Sequence, residues 1–221
     1  LSPKPLINEE AYLMLAKYEA HIMDNKCEIK CFPWMRQEVD ISVCAHVAAW
    51  TILRYYGNKY HNYADTTMGA IAQKIKGDMG RKTPSNGLTP VQIADLFQEY
   101  GFSPIIRGGI KEENSKFLDE IMAYIESGIP IVGFISPKQH AVSIVGHGRI
   151  NYDLLDNPVS VDKLKDEQTG IILHSKLIPS LYVMEDNYFG YRKVSKELPT
   201  STSDVDYNLF EIKFAVVPLY E

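Results

Sequence analysis

The cysteine at position 44 lies in a stretch whose residue types favour nucleophilic chemistry. In the segment 37–57, QEVDISVCAHVAAWTILRYYG, Asp40 or Ser42 can cap a helix that is apolar on nearly every face and ends at Gly57. Cys44 would lie in its first turn, where unpaired backbone N–H groups and the helix dipole stabilise a thiolate. Because most free cysteines only fill space, a catalytic interpretation needs a base and an orienting group elsewhere in the chain.

The strongest candidate for the base is His140. It opens a predicted strand whose next residues, AVSIV, are small and apolar, so its imidazole would lie at the end of a packed element beside a loop. His147 and His46 are the alternatives. His147 follows the same strand in a turn, and His46 lies about 200° around the helix from Cys44, which disfavours it as a partner.

Two polar residues that could orient the base follow an apolar strand in SLYVMEDNYFG. Asp186 and Asn187 can each accept a hydrogen bond from an imidazole N–H. Adjacent side chains of a strand point to opposite faces, so only one of the two can do so. An Asp-Asn pair after a strand is also typical of a turn. The residues alone therefore leave the choice open.

The composition restricts the class of function. The chain has 221 residues, of which 45% are hydrophobic, and a net charge of −5 without a basic run. Nucleic acid is therefore not an expected partner. No apolar segment approaches the roughly 18 residues that a membrane span requires, so no span is predicted. The length fits a single domain, 1–221, with a sizeable core.

The chain contains three cysteines, Cys27, Cys31 and Cys44. An odd number in a domain of this size argues against a disulfide framework. A zinc site would need a second Cys/His pair at metal-binding spacing, and the sequence has none. We interpret Cys27 and Cys31 as core or surface thiols, with a disulfide or a metal as the less favoured alternative. No cofactor and no metal are predicted.

The elements that must position these residues change in character near residue 128. Before it the periodicity is mainly helical, and after it the composition is mainly that of strands. Helices are predicted over 8–24, from the Cys44 region to Gly57, and over 66–76, 89–101 and 112–127, with a short strand over 27–32. Later strands are predicted over 129–135, 141–146, 170–174, 181–185, 191–194 and 209–217. This segregation predicts an α+β fold with a helical lobe, about 1–128, and a β-rich lobe, about 129–221.

Taken in order, these residues resemble the papain-like cysteine peptidase superfamily, most closely its bacteriocin-processing (double-glycine) branch. Cys44 near the start of a buried helix is followed by HAVSIVGHG, which is close to the HAV..VGYG of papain-type enzymes. Asp186 keeps the spacing to Gly190 of the Asp-Pro-x-x-Gly motif in the double-glycine branch, and Asn187-Tyr-Phe-Gly has the spacing of the papain-type NSWG motif. The series GLTPVQIADLFQEYGF and ESGIPIVGF is also similar to that branch.

The resemblance implies a papain-like fold, in which the central helix packs on a C-terminal antiparallel sheet. It implies that Cys44 is the nucleophile, His140 the base and Asp186 the orienting acid, with Asn187 as the alternative. It also implies that Gln37 donates to the oxyanion, although Gln37 is one residue farther from Cys44 than is usual in the superfamily.

The activity implied by the resemblance is hydrolysis of peptide bonds in a peptide or protein substrate, through a thioester, in a bacterial enzyme. One alternative is acyl transfer or cleavage of another amide by the same triad, as in transglutaminase-like relatives. Another is a catalytically silent, leader-binding domain. The unpaired cysteines favour a cytoplasmic location. Because the sequence opens at Leu1 rather than Met, a missing upstream leader or domain stays open, as does the oligomeric state.

Overall fold

The computed structural model has an α+β architecture, which confirms the predicted fold class. It describes residues 2–36, 44–75, 87–108, 114–136, 138–166, 169–196 and 207–220. Within these ranges six α-helices accompany a seven-stranded antiparallel sheet and a separate two-stranded hairpin. Buried apolar residues from both predicted lobes belong to one core cluster.

The bounds of the elements are as follows. The helices are α1 (Lys4–Asn8), α2 (Cys44–Lys59), α3 (Met68–Lys74), α4 (Pro90–Glu99), α5 (Asn114–Glu126) and α6 (Pro158–Leu164). Short 3₁₀ turns cover Tyr152–Leu155, His174–Leu177 and Leu209–Glu211. The strands are β1 (Tyr12–Leu13), β2 (Ala16–Ile22), β3 (Asn25–Cys31), β4 (Phe102–Gly108), β5 (Ile131–Ile135), β6 (His140–His147), β7 (Ser180–Met184), β8 (Arg192–Ser195) and β9 (Ile212–Tyr220).

Strand β6 is at the centre of the sheet and carries two of the three histidines that the sequence offered as a base. The strand order is β4-β9-β5-β6-β7-β8, with every neighbouring pair antiparallel. β5 pairs with the first residues of β6, and the short strand β1 pairs with its last two. His140 and His147 are the first and last residues of β6. The two imidazoles therefore lie at opposite ends of one element.

The N-terminal strand β1 approaches β6 closely. At Gly146 a Cβ atom would fall on the backbone carbonyl oxygen of Tyr12, at a separation that real Cβ atoms essentially never show. The next residue pairs with Tyr12, and the Met14 N–H donates to the Val145 carbonyl at 2.9 Å. The absence of a side chain at Gly146 is therefore what allows β1 to join the sheet.

Helix α2 is buried on nearly all sides, as predicted from its apolar faces. The predicted end at Gly57 is wrong, because the helix continues to Lys59. A Cβ at position 57 would lie 3.0 Å from the Ala64 carbonyl oxygen and from the Asp65 Cα. Glycine at this position permits close packing of the returning chain and does not stop the helix. The proposed caps at positions 40 and 42 lie outside the described residues.

The predicted N-terminal helix over 8–24 is wrong. The chain forms the hairpin of β2 and β3 instead, and the connecting residues Met23 and Asp24 have φ values of 47° and 62°. Such left-handed pairs are typical of two-residue hairpin turns. Apolar and charged residues alternate along β2, so Tyr18 lies opposite Ile29 on one face while the charged side chains occupy the other. The alternation, and not the helical spacing, determined the structure.

The helices predicted over 66–76, 89–101 and 112–127 are present as α3, α4 and α5. The predicted cap of α4 is confirmed in detail. The Thr89 hydroxyl accepts from the Gln92 backbone N–H at 3.3 Å, and the Gln92 side chain accepts from the Thr89 N–H at 2.9 Å. Among the helices that the structure describes, none has the length and apolar composition that crossing a bilayer requires.

One predicted strand is wrong, and several elements were not predicted, among them β4 and α6. In 170–174, only Ile172 forms an isolated bridge, with Lys165, and a 3₁₀ turn begins at His174. The other five strands predicted after residue 128 are present as β5 to β9. Strand β4 was missed because Pro104 lacks a backbone N–H, but β4 is an edge strand, where this is tolerated. Helix α6 was also missed.

Candidate active site

The structure brings Cys44 and His140 together where α2 begins and β6 begins. Cys44 is the first residue of α2 in the described chain and is 7% exposed. Both residues line one groove, and the Cys44 side chain raises the pKa of the imidazole. The sequence predicted both residues for this pair. A sulfur at the N-terminal end of a helix and beside an imidazole has the two features that stabilise a thiolate.

His140 lies between the sulfur and a carboxylate. Its Nε2 atom is 2.7 Å from the Glu185 Oε1, which leaves Nδ1 for Cys44. Burial lowers the pKa of His140, but the hydrogen bonds to Cys44 and Glu185 raise it more, to about 10. The site therefore favours an imidazolium at neutral pH. An imidazolium beside a thiolate is the resting state that thiol catalysis requires.

Glu185 is buried directly after β7 and was not selected from the sequence. Its Oε2 accepts a hydrogen bond from the Tyr207 hydroxyl at 3.0 Å and lies 3.8 Å from the Arg192 Nη1. The Trp34 indole N–H donates to its backbone carbonyl at 2.7 Å. Burial raises the pKa of Glu185, but His140, Tyr207 and Arg192 together lower it below its ordinary value. Glu185 is therefore an ionised carboxylate in a buried position.

Asp186, the predicted orienting acid, is near the imidazole but less well placed. Its Oδ1 lies 3.6 Å from the His140 Nε2. Within the described part of the chain neither of its oxygens has a hydrogen-bond partner, although the residue is 3% exposed. Burial raises the pKa of Asp186 to about 6, and the adjacent Glu185 adds to this while His140 opposes it. The two neighbouring carboxyl groups thus differ in their tendency to hold a proton.

The remaining candidates are placed as follows. Asn187 is exposed, and its backbone N–H lies 3.5 Å from the Glu185 Oε1. Gln37 lies outside the described residues. His147 is at the far end of β6, where its Nε2 contacts Glu126 at 2.8 Å. His46 has a pKa lowered by burial, and its Nδ1 has no partner among the residues described.

The three side chains of His140, Glu185 and Asp186 also satisfy a distance test for a metal site. Their ligand atoms lie within 4.8 Å of one another, and no other such group of three occurs in the ranges that the structure covers. Nε2 of the imidazole is already engaged by Glu185, and Cys44 lines the same groove as the ring. A metal ion would have to displace the Glu185 contact. The sequence prediction of no metal stays a prediction.

A groove of about 470 Å³ opens beside the sulfur and the imidazole. Its walls come from the start of α2, the residues before α4, the end of β5, the start of β6, and β9. They are mainly apolar, and include Leu88, Pro90, Phe134, Ile135 and Phe214. Cys44 and His140 both line this space. A chain lying in the groove would therefore be in contact with the nucleophile.

The sequence analysis considered Asp186 and Asn187 and passed over the residue before them, Glu185. Strand β7 ends at Met184, so period-two geometry along the strand did not decide which of the next side chains faces His140. The residues that contact Glu185 come from distant segments, Tyr207 and Arg192, and no local motif connects them to it. The run of three polar residues after an apolar strand was the only available signal.

Of the comparisons with known proteins, a family model assigns this chain to a family. The family model described as the Peptidase_C39 like family matches residues 28–168, which include Cys44 and His140 and end before Glu185. A search of curated proteins gave no match. Among solved structures, the peptidase domain of Streptococcus ComA, described as a bi-functional ABC transporter involved in a quorum sensing pathway, is 14% identical. The alignment covers 86% of this chain and 99% of that one, with a TM-score of 0.47. The family match spans more than half of the sequence and confirms the resemblance to the double-glycine branch, so the chain belongs to the Peptidase_C39 like family.

Proposed function

We propose that this protein is a cysteine peptidase in which Cys44 is the nucleophile and His140 the general base and acid. The observation that carries the proposal is that Cys44, at the start of a buried helix, and His140, whose Nε2 is 2.7 Å from the Glu185 carboxylate, line the same groove. The pKa of His140, which Cys44 and Glu185 raise to about 10, supports it. Family membership supports the choice of peptide bonds as the substrate.

The reaction begins from the ion pair, in which the thiol proton of Cys44 has already passed to His140. The thiolate attacks the carbonyl carbon of a peptide bond, and the negative charge moves to the carbonyl oxygen. The backbone N–H of Cys44 would donate to that oxyanion, together with the Gln37 side chain that the family resemblance implies. His140 then protonates the leaving amine, and a thioester forms. Water, deprotonated by His140, hydrolyses the thioester and regenerates the thiol.

A carboxylate is the third member of this catalytic group, since both Glu185 and Asp186 lie near the His140 Nε2. The apolar groove beside Cys44 supports an extended peptide or protein substrate with an apolar side chain next to the scissile bond. A small amide would leave most of this groove empty.

The proposal is tested by incubating the protein with a mixture of peptides and identifying the products by mass spectrometry. Cleaved peptides carrying one ¹⁸O atom from labelled water would show hydrolysis, and Cys44→Ala should produce none. Cys27→Ala is the matched control, because Cys27 is a free, exposed thiol on the hairpin. Transfer of the acyl group to an added amine without ¹⁸O would favour the acyltransferase alternative. No product from any peptide, with an unreactive Cys44, would favour the silent domain.

A further inference from the structure

We propose that Glu185 is the positioning residue for His140, and that Tyr207 and Arg192 hold Glu185 in place for this role. The inference rests on the proposed function, because it assumes that His140 acts on Cys44. Its first support is distance. The Glu185 Oε1 lies 2.7 Å from the His140 Nε2, within hydrogen-bond range, whereas the Asp186 Oδ1 lies at 3.6 Å and is outside it.

The second support is how the two carboxylates are satisfied. A buried carboxylate requires hydrogen-bond donors for both oxygens. In Glu185 the Oε1 contacts His140, and the Oε2 accepts from the Tyr207 hydroxyl at 3.0 Å with Arg192 close by. Neither oxygen of Asp186 has a partner among the described residues. Glu185 is therefore built into a network, and Asp186 is not.

The third support is the rigidity of the Glu185 backbone. The Trp34 indole N–H donates to the Glu185 carbonyl at 2.7 Å, and the preceding strand β7 pairs with β6, which begins at His140. The guanidinium of Arg192 also lies 4.9 Å from the centre of the Tyr207 ring. These contacts hold the carboxylate with few alternative rotamers, as a positioning residue requires.

The proton balance assigns a definite task to Glu185. It accepts the Nε2–H of His140 in both states of the imidazole, which fixes the tautomer so that Nδ1 faces the sulfur. When the thiol proton moves from Sγ to Nδ1, the imidazole becomes positive and Glu185 stabilises that charge without taking a proton. Removing the carboxylate would return the pair towards its neutral form, in which the sulfur is an unreactive thiol.

The test compares the adjacent variants Glu185→Gln and Asp186→Asn by alkylation of Cys44 with iodoacetamide across pH 4 to 10. Cys27, which is exposed and unpaired with another cysteine, is measured in the same sample as the reference thiol. A hydrogen bond to a charged group is worth about 1.5–3 kcal/mol, so the ratio of ion pair to neutral pair should fall about tenfold or more in Glu185→Gln. The Cys44 rate at pH 6, relative to Cys27, should fall correspondingly.

Asp186→Asn should reduce the rate at pH 6 by less than Glu185→Gln does. A larger reduction in Asp186→Asn would overturn the inference and assign the role to Asp186. Tyr207→Phe is the second variant, in case Glu185→Gln fails to fold. It removes a donor to the carboxylate without changing charge and should move the rate in the same direction by a smaller factor. An unchanged rate in folded Tyr207→Phe and Glu185→Gln would count against the network.

The alkylation experiment uses no peptide substrate, so its outcome is independent of the peptidase assay. Fast alkylation of Cys44 that depends on Glu185, in a protein that cleaves no peptide, would refute the peptidase proposal and leave the positioning role intact. Peptide cleavage that is unaffected by Glu185→Gln would refute the positioning role and leave the peptidase proposal intact. If Cys44 in the unmodified protein titrates like Cys27, both proposals are overturned.

Discussion

Each end of strand β6 carries a histidine that contacts a carboxylate, but the second partner of the imidazole differs between the two ends. At one end the His140 Nε2 is 2.7 Å from the Glu185 Oε1, and Cys44 lines the same groove as the ring. At the other end the His147 Nε2 is 2.8 Å from Glu126, and its Nδ1 is 2.7 Å from the Gly148 carbonyl oxygen. Each imidazole thus lies between a carboxylate and a second partner.

The second partner separates the two sites. A carbonyl oxygen can only accept, so the Nδ1 of His147 carries a proton and cannot receive one from a substrate or a nucleophile. A thiol can transfer its proton to Nδ1 and can attack a substrate afterwards. The His147 ring is also stacked on Tyr12, with centroids 5.2 Å apart, whereas His140 borders the groove. A histidine–carboxylate pair is therefore catalytic only where a nucleophile and a substrate can reach it.

The largest expected effect is at the His140 end. His140→Ala should reduce kcat/KM for peptide cleavage by about a thousandfold or more, because nucleophile activation and protonation of the leaving group are both lost. Alkylation of Cys44 below pH 8 should fall to the rate expected of an ordinary thiol. His147→Gln is the matched control for cleavage by the folded protein. Equal losses of activity in the two variants would contradict the distinction between the two ends.

At the other end of β6, substitution of His147 should affect the stability of the fold. His147→Gln retains one hydrogen bond at most and leaves Glu126 without its buried partner, so the free energy of unfolding should fall by about 1–3 kcal/mol. Urea denaturation monitored by circular dichroism measures this. Glu126→Gln should give a smaller loss, since Glu126 is partly exposed. If His147→Gln proves as stable as the parent protein, the bonds described at this end contribute little.

A third prediction concerns the carboxyl group that has no hydrogen-bond partner. The folded-state pKa of Asp186 is raised from 3.8 to about 6, so stability falls as the pH rises from about 4 to about 6, and the loss is complete above that range. Asp186→Asn should therefore be more stable than the parent protein by about 1–3 kcal/mol at pH 8, and equal to it below about pH 4. Urea denaturation at both pH values measures the difference. A variant that is less stable at pH 8 would show that the carboxylate has a stabilising partner.

The smallest expected effect is at the groove. Phe214 is 48% exposed and lines the wall beside the catalytic pair. Phe214→Ala should raise KM for an apolar peptide by a few-fold, about 1 kcal/mol of lost apolar contact, with the alkylation rate of Cys44 unchanged. Steady-state kinetics with matched apolar and polar peptides would measure it. A change in the alkylation rate would show instead that the residue affects the reactive pair itself.

The sequence selected Cys44 and His140 as candidates because each stands on an element with a strong local signal. Cys44 precedes an apolar helix, and His140 precedes a small-residue strand, so both were predicted before any contact was known. Strand β2 of the hairpin was missed because its apolar residues fit helical spacing as well as alternation, whereas β3 corresponds to the strand predicted over 27–32. Tertiary packing and the turn at Met23 and Asp24 decided between the two periods.

The partner of His140 could not be chosen from the sequence for a different reason. The choice between Glu185 and Asp186 depends on where the chain turns after β7 and on Tyr207, which is more than twenty residues away. Similarly, Gly57 has the composition of a helix end, but its role is set by the chain that packs against it at 64–65. Long-range contacts of this kind leave no trace in local periodicity.

The close approach at Gly146 has a consequence for relatives of this chain. Gly146 is one of the positions at which HAVSIVGHG resembles the family motif. In this protein a side chain is excluded there because the Tyr12 carbonyl occupies the space that a Cβ atom would need. A relative with a larger residue at this position could not keep an N-terminal strand in the same register. We therefore expect the identity of this one residue to covary among homologues with the presence of a pairing segment some 130 residues earlier.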